Sequence, residues 1–221
     1  MLKLKNVGVS IDGVQVLRDV NFEMPQGKVT VLVGRNGAGK TTTLRSIMGL
    51  LKCDNGQVLL DENDLTKVPA QDRARLGIGY APEDRRLIGN FSVEENILLP
   101  ALALKMTADE RERKLSEVYE LLPELYKLRG RPGSGVSGGQ GKMVALGRAL
   151  MISTNALLLD EPFQGLAPAL ALEYARTLGK LRDLKNNLSF LITESSPNLL
   201  KGIGDYTLII DRGNISRNTS S

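Results

Sequence analysis

Gly34-Arg35-Asn36-Gly37-Ala38-Gly39-Lys40-Thr41 is the stretch that decides the fold of this chain. It fits the pattern G-x-x-x-x-G-K-[ST], with the β-branched run Val29–Val33 before it and a helical stretch, Thr42 to Met48, after it. A strand, a glycine-rich turn and a helix in that order point successive backbone N–H groups at the oxygens of a phosphate, and the helix adds the positive end of its dipole. Lys40 then reaches the β- and γ-phosphates of a nucleotide, and the Thr41 hydroxyl ligates Mg²⁺. The expected nucleotide contacts are Gly34, Arg35, Asn36, Gly37, Ala38, Gly39, Lys40, Thr41 and Thr42.

Further along, Ala156-Leu-Leu-Leu-Asp160 is an apolar run that ends in an acid, followed at once by Glu161 and Pro162. A buried strand with a carboxylate at its C-terminal end suits a second Mg²⁺ contact, which selects Asp160 as a metal residue. Glu161 then lies beside the γ-phosphate, where it can orient or deprotonate the attacking water. Alone, such a run is as readily a strand with solvated acids at its end; the phosphate loop upstream decides for the metal site. A third segment, Val136-Ser-Gly-Gly-Gln140, opens the helix that carries Met143, Ala145, Leu146, Ala149 and Leu150. Ser137 is suited to cap it, and Gly138 and Gly139 permit close backbone approach to an anion.

Around these motifs the pattern is α/β, with strands expected at Leu2–Val9, Val16–Phe22, Val29–Val33, Gln57–Leu60, Ile78–Tyr80, Ala156–Asp160, Leu188–Thr193 and Tyr206–Ile210. The early strands are joined by short turns, Asp12-Gly13 and Pro25-Gln26-Gly27, which implies an N-terminal antiparallel β subdomain ahead of a parallel core. From Val93 to Leu128 the character is helical, with a capping box at Thr107-Ala-Asp-Glu110. The expected architecture is one domain over residues 1–221, with a helical subdomain at approximately 85–150 inserted in the core. The polar tail, Ser216 to Ser221, is expected to fray.

Composition narrows the function. The chain has 221 residues, 42% of them hydrophobic, enough for one substantial core. It has one cysteine, Cys53, and no histidine, so an intramolecular disulfide and imidazole chemistry are both excluded. The excess of 29 Lys and Arg over 25 Asp and Glu is too small for a nucleic-acid channel. No apolar run approaches the ~20 residues of a membrane span, and the N-terminus reads as a strand, so a cytosolic chain is expected unless a partner holds it at a membrane.

The phosphate loop, Val136-Ser-Gly-Gly-Gln140 and Leu157-Leu-Leu-Asp-Glu-Pro162, in that order, strongly resemble the three motifs of ABC ATPases, and the likeness runs from about Leu2 to Gly213. The resemblance implies a P-loop NTPase with a RecA-like parallel core, ATP as substrate, Mg²⁺ as cofactor and ATP hydrolysis coupled to transport. It implies a head-to-tail pair with a second ABC ATPase subunit, a copy or a paralogue, in which Ser137, Gly138, Gly139 and Gln140 of one chain meet the γ-phosphate held by the other. It further implies integral membrane permease partners, touched through a lobe from Arg85 to Arg131, and a cytoplasmic location on the inner face of the cell membrane. Ile47-Met-Gly-Leu-Leu51, Ala81-Pro-Glu-Asp-Arg85, Ser92-Val-Glu-Glu-Asn96 and Gly165-Leu-Ala-Pro168 look most like the LivF type, which implies uptake of branched-chain or other hydrophobic amino acids. Urea is the alternative solute, and a soluble ABC ATPase or a slow, dimerising scaffold are the alternative classes.

The chain departs from that family pattern in four places. Near Ile11-Asp12-Gly13, where many relatives stack a ring on adenine, only Ile11 and Val16 offer apolar contact. Glu83 stands at the Gln-loop position, within reach of Mg²⁺ or water, and Phe163 replaces a common Ser. Ser195 stands where a switch His usually contacts the γ-phosphate, which points to slow turnover.

Overall fold

A computed structural model describes residues 1–217, so the Asn218 to Ser221 part of the expected tail lies outside the described residues. Ser216 and Arg217 do not fray but belong to a strand. The chain begins with a hairpin, β1 (Leu2–Ile11) and β2 (Val14–Met24), closed at the pair Ile11↔Val14 by Asp12 and Gly13, whose φ values are 49° and 77°. Two positive φ values in a two-residue loop match the twist of the strands it joins. Next come β3 (Val29–Val33), α1 (Lys40–Ile47), β4 (Asn55–Leu60), β5 (Asn63–Asp64), α2 (Ala70–Arg75) and β6 (Ile78–Ala81). Four helices follow: α3 (Val93–Ala103), α4 (Ala108–Leu121), α5 (Pro123–Leu128) and α6 (Gly138–Leu150). The chain then runs through β7 (Ala156–Asp160), α7 (Pro168–Leu184), β8 (Ser189–Glu194), β9 (Tyr206–Asp211) and β10 (Asn214–Arg217).

Two sheets form among the described residues. β2-β1-β4-β5 is antiparallel, as the short early turns require. β10-β9-β3-β8-β7-β6 is parallel from β9 to β6, with β10 antiparallel at its edge. The strands of the second sheet are apolar on both faces because both faces are covered. Along β7, Leu157 and Leu159 pack with the helices α3 to α7, while Ala156 and Leu158 pack toward α1 and the antiparallel sheet. β3 and β8 divide in the same way, Val31 and Ile192 to one side, Leu32 and Leu191 to the other. Period-two alternation between two cores yields the uninterrupted apolar runs that mark these strands in the sequence.

This sheet sets the position of the functional residues. Val33 lies opposite Glu194, Asp160 opposite Thr193, and Ala81 opposite Leu159, so β3, β8, β7 and β6 end at one edge. The phosphate loop, Ser195, Glu161 and Glu83 are the next residues of those strands or follow closely. Ligands of parallel α/β sheets bind along such carboxyl edges.

α1 is anchored at its far end by a buried cation. Arg73 is 2% exposed and donates from Nη1 to the carbonyls of Ser46 and Ile47, each at 2.8 Å, and from Nε to Val68 O at 2.8 Å. These bonds satisfy carbonyls that a helix C-terminus leaves without partners. Arg73→Met keeps most of the volume but strands those acceptors, and is expected to lower unfolding free energy by about 2–3 kcal/mol. Urea unfolding checks this, and a loss within 0.5 kcal/mol or so rejects the anchor.

Candidate active site

The phosphate loop reaches α1 through Gly39, at φ 113° and ψ 8°. A Cβ there would lie 2.9 Å from Leu17 Cδ2 in a conformation L side chains rarely adopt, so glycine is required by both backbone and neighbours. α1 has neither a side-chain cap nor an acid in its first turn. Its N–H groups therefore face the cavity with no carboxylate of their own competing for an anion.

That cavity, of about 330 Å³, brings together Val16, Asn36, Gly37, Gly39, Lys40, Thr41 and Thr42 with Glu83 and Glu161. Gly34 and Arg35 take part through their carbonyls, which accept from Lys40 Nζ at 2.6 and 3.1 Å, and buried Ala38 packs beneath the loop. Val16 is the apolar side chain that lines the cavity. Lys40 Nζ lies 2.9 Å from Glu161 Oε1, and both side chains are under a tenth exposed. It also donates to Ser195 Oγ at 3.3 Å, and that hydroxyl donates to Asn36 Oδ1 at 3.0 Å. Lys40, Glu161 and Ser195 thus meet at one point.

Beneath them, Thr41 donates to Asp160 Oδ1 at 3.2 Å. Asp160 accepts also from Thr193 Oγ1 at 2.8 Å and Tyr80 OH at 3.2 Å. Burial pushes the Asp160 carboxyl up, and the three hydroxyl donors pull it back down. A hydroxyl and a carboxylate are hard oxygen donors suited to Mg²⁺, which completes its shell with phosphate oxygens and water. Among the described residues no group of three acidic or thiol side chains makes a closed metal cage, so these two oxygens fit an ion shared with substrate. Glu83 lines the same cavity, its carboxyl raised by partial burial and by the charges of Glu161 and Asp160.

Glu161 has φ 43°, an uncommon value for a residue with a side chain. Its N–H donates to Thr193 O and Thr193 Oγ1, each at 3.1 Å, and its carbonyl accepts from buried Lys142 Nζ at 2.6 Å. These contacts hold the strained backbone. Lys142, Thr193, Tyr80, Glu194 and Gln164 are the residues sequence reasoning misses here. For Thr193, Glu194 and Tyr80 the one available signal is polar character at or near the end of an otherwise apolar strand; Lys142 and Gln164 carry none.

Ser137, Gly138, Gly139 and Gln140 do not line this cavity. They form the first turn of α6, where Gln140 N donates to Ser137 Oγ at 3.3 Å and Ser137 N to Gln140 Oε1 at 3.0 Å, a reciprocal cap. Gly139 packs against Leu170, whose Cδ2 would lie 1.9 Å from a Cβ there, so any side chain at 139 would displace the end of Leu170.

A family model described as ABC transporter matches residues 17–164. The chain is 35% identical over 200 residues to the lipopolysaccharide export system ATP-binding protein LptB of Acidithiobacillus ferridurans, covering 90% of this chain and 82% of the relative. It is 33% identical over 221 residues to the probable branched-chain amino acid transport ATP-binding protein LivF of Archaeoglobus fulgidus, covering 99% and 91%. Among solved structures, the ADP conformation of MJ1267, an ATP-binding cassette of an ABC transporter, matches with a TM-score of 0.85 and 28% identity over 99% of this chain and 91% of that one. Relatives named for lipid export stand beside those named for amino-acid transport, so these matches show the family and do not single out the amino-acid-uptake type.

Beside the site, Glu194 is 6% exposed and accepts from Phe163 N at 3.0 Å. Burial pushes its carboxyl up to about 7; the Phe163 N–H opposes this, the charge of Glu161 adds to it, and Lys142 and the Ser195 N–H oppose it. An acid that binds its proton more tightly in the folded chain costs stability as pH rises from its ordinary 4.5 through about 7, with the full cost present above. Glu194→Gln keeps the acceptor for Phe163 N and removes the charge. It is expected to raise unfolding free energy by on the order of 2 kcal/mol near pH 8, the gain disappearing near pH 4. Urea titrations across that range check it, and a gain that does not vary with pH rejects the account.

Proposed function

The chain belongs to the ABC transporter ATP-binding family, and from that premise we propose that it hydrolyses ATP at the Lys40–Glu161 site as one half of a head-to-tail pair beneath a membrane permease. Membership makes it an ATP-hydrolysing transporter subunit. Among its described residues no helix is long and apolar enough to cross a membrane, which suits a subunit carried by membrane partners on the inner face.

The observation that carries the reading is the buried pair of Lys40 and Glu161 inside an uncapped phosphate cradle. Triphosphate oxygens offer Lys40 more charge than one carboxylate and two carbonyls do, so Lys40 turns to them and leaves Glu161. Glu161 then accepts a proton from the water that attacks the γ-phosphorus, and the bond to ADP breaks. Thr41 and Asp160 hold Mg²⁺, with Glu83 beside them; when bound, the ion neutralises phosphate charge. Gly34, Arg35, Asn36, Gly37, Ala38, Gly39 and Thr42 hold the phosphates, and Val16 contacts the base.

Ser137, Gly138, Gly139 and Gln140 do not line their own chain's cavity; in a head-to-tail pair they would serve as contacts to the γ-phosphate held by the partner. We assign residues 1–221 to a single domain, with α3 to α6 in the inserted helical unit of approximately 85–150, of which the lobe from Arg85 to Arg131 meets the permease. For the cargo, branched-chain or other hydrophobic amino acids are supported by Ala81-Pro-Glu-Asp-Arg85 and Gly165-Leu-Ala-Pro168 and by the LivF relative. Co-purification with its native membrane subunits, followed by leucine uptake in vesicles, tests that cargo. ATP-driven release of lipopolysaccharide, with no uptake, gives it to the lipid-export class of the LptB relative.

Glu161→Gln is expected to bind Mg-ATP with unchanged affinity, to accumulate as a dimer in gel filtration, and to lose at least about 10²-fold in phosphate release. Surviving turnover with only monomer present removes Glu161 as the base.

Ser195 Oγ has shorter reach than an imidazole and no cationic form. The loss of one such transition-state contact costs about 2–4 kcal/mol, or roughly 10²–10³ in rate. Ser195→His is expected to raise kcat at least about tenfold while ATP affinity changes less than about threefold. An unchanged kcat shows that the site loses nothing by having serine there.

A further inference from the structure

Gln164 lies three residues after Glu161, on a loop with no regular secondary structure, and its side chain is exposed. Its backbone N–H donates to Glu161 O at 3.2 Å, closing a turn over Pro162 and Phe163. The next turn follows at once, from Leu166 N to Phe163 O at 3.1 Å, and Gly165 at φ 72° lets the chain turn away. The first turn folds the Gln164 side chain back over the Glu161 carboxylate. Oriented as its acceptor-only surroundings require, the amide nitrogen lies 2.6 Å from Glu161 Oε2 and 2.7 Å from Glu83 Oε1.

The two oxygens of Glu161 therefore have different partners. Oε1 is held by Lys40 at 2.9 Å and Oε2 by Gln164. Glu83 and Glu161 carry like charges at one cavity wall, and the amide is the neutral donor between them. A neutral amide offers two N–H groups and adds no charge to a site that must accept a triphosphate. Gln164 also lines the adjoining cavity that contains Ser195, so it stands on the wall between the two.

We propose that Gln164 is a positioning residue for hydrolysis: its amide fixes Glu161 Oε2 and spaces Glu161 from Glu83, so that Oε1 is the oxygen turned to water when phosphate draws Lys40 away. The inference rests on Glu161 as the water-activating group. No part of the fold needs the amide, since the side chain is exposed and its partners are the two carboxylates. Replacement is therefore expected to alter the chemical step and leave folding and nucleotide binding in place.

The test uses the full chain with Mg-ATP, measuring steady-state phosphate release together with binding of a fluorescent ATP analogue. Gln164→Met, equal in length and unable to donate, is expected to lower kcat about tenfold with KM within about threefold of wild type. Gln164→Glu, equal in shape with a third negative charge, is expected to fall about another tenfold. Combined with Glu161→Gln, the Gln164→Met change is expected to add nothing to the loss, because the amide acts through that carboxylate. A kcat for Gln164→Met within twofold of wild type overturns the proposal, and so does a tenfold rise in KM at constant kcat, which marks a nucleotide contact. Equal rates for the Met and Glu variants, or additive loss in the double variant, also overturn it. If Glu161→Gln itself turns over normally, the reading of Glu161 as base fails and this inference with it; if that variant is inactive while Gln164→Met is normal, this inference fails alone.

Discussion

A lysine ammonium in a nearly dry cleft is the constraint around which the rest is arranged. Lys40 is 4% exposed, and a buried charge is tolerated only with partners that repay its lost hydration. Without nucleotide those partners are Glu161, the carbonyls of Gly34 and Arg35, and the Ser195 hydroxyl. In the proposed mechanism the carbonyls belong to the loop that would cradle phosphate and the carboxylate to the residue that would face water, so the contacts that make Lys40 tolerable are the ones substrate would replace. Binding and the freeing of Glu161 become one event, driven by the charge that enters.

The parallel sheet makes this exchange possible by placing strand ends in register. Val33 lies opposite Glu194, Asp160 opposite Thr193 and Ala81 opposite Leu159, so four strands deliver the residues that follow them to one edge. The register follows from burial on both faces: a one-residue slip of β7 would turn Leu157 and Leu159 into the core that Ala156 and Leu158 fill. Packing on both sides of the sheet thus fixes the distance between Thr41 and Asp160 as surely as any contact within the site.

The loop, β7 and the helix start at Ser137 were legible in the sequence because each is a local pattern: glycines at set spacing, an apolar run ending in acids, a cap followed by an apolar helix. Early strands were foreseen too short, since Ser10 and Ile11 pair with Gln15 and Val14 although their residues carry no strong alternation. β5 and β10 escaped notice because both are short edge strands made largely of polar residues, recognisable only by their pairing. Lys142 and Gln164 were illegible for another reason. A lysine after Gln140-Gly141 reads as a solvated charge until β7 is seen to place a carbonyl against it. A glutamine in a loop reads as surface until a turn folds it over Glu161.

The same division between local and assembled features explains why the signature segment looks idle in a single chain. Its serine and glutamine cap each other, and Gly139 packs on Leu170, so every one of these residues has a local reason to be there. In the proposed pair the same helix end would meet a phosphate held by the other chain, and no acid in its first turn would oppose that charge. α1 begins differently, with no side-chain cap and no acid in its first turn, which leaves its N–H groups for a phosphate of its own chain. In the proposed head-to-tail pair, the phosphate held by Lys40 and α1 of one chain would be met by the capped start of the partner's α6, so a segment with a local explanation in one chain would gain a second use in the pair.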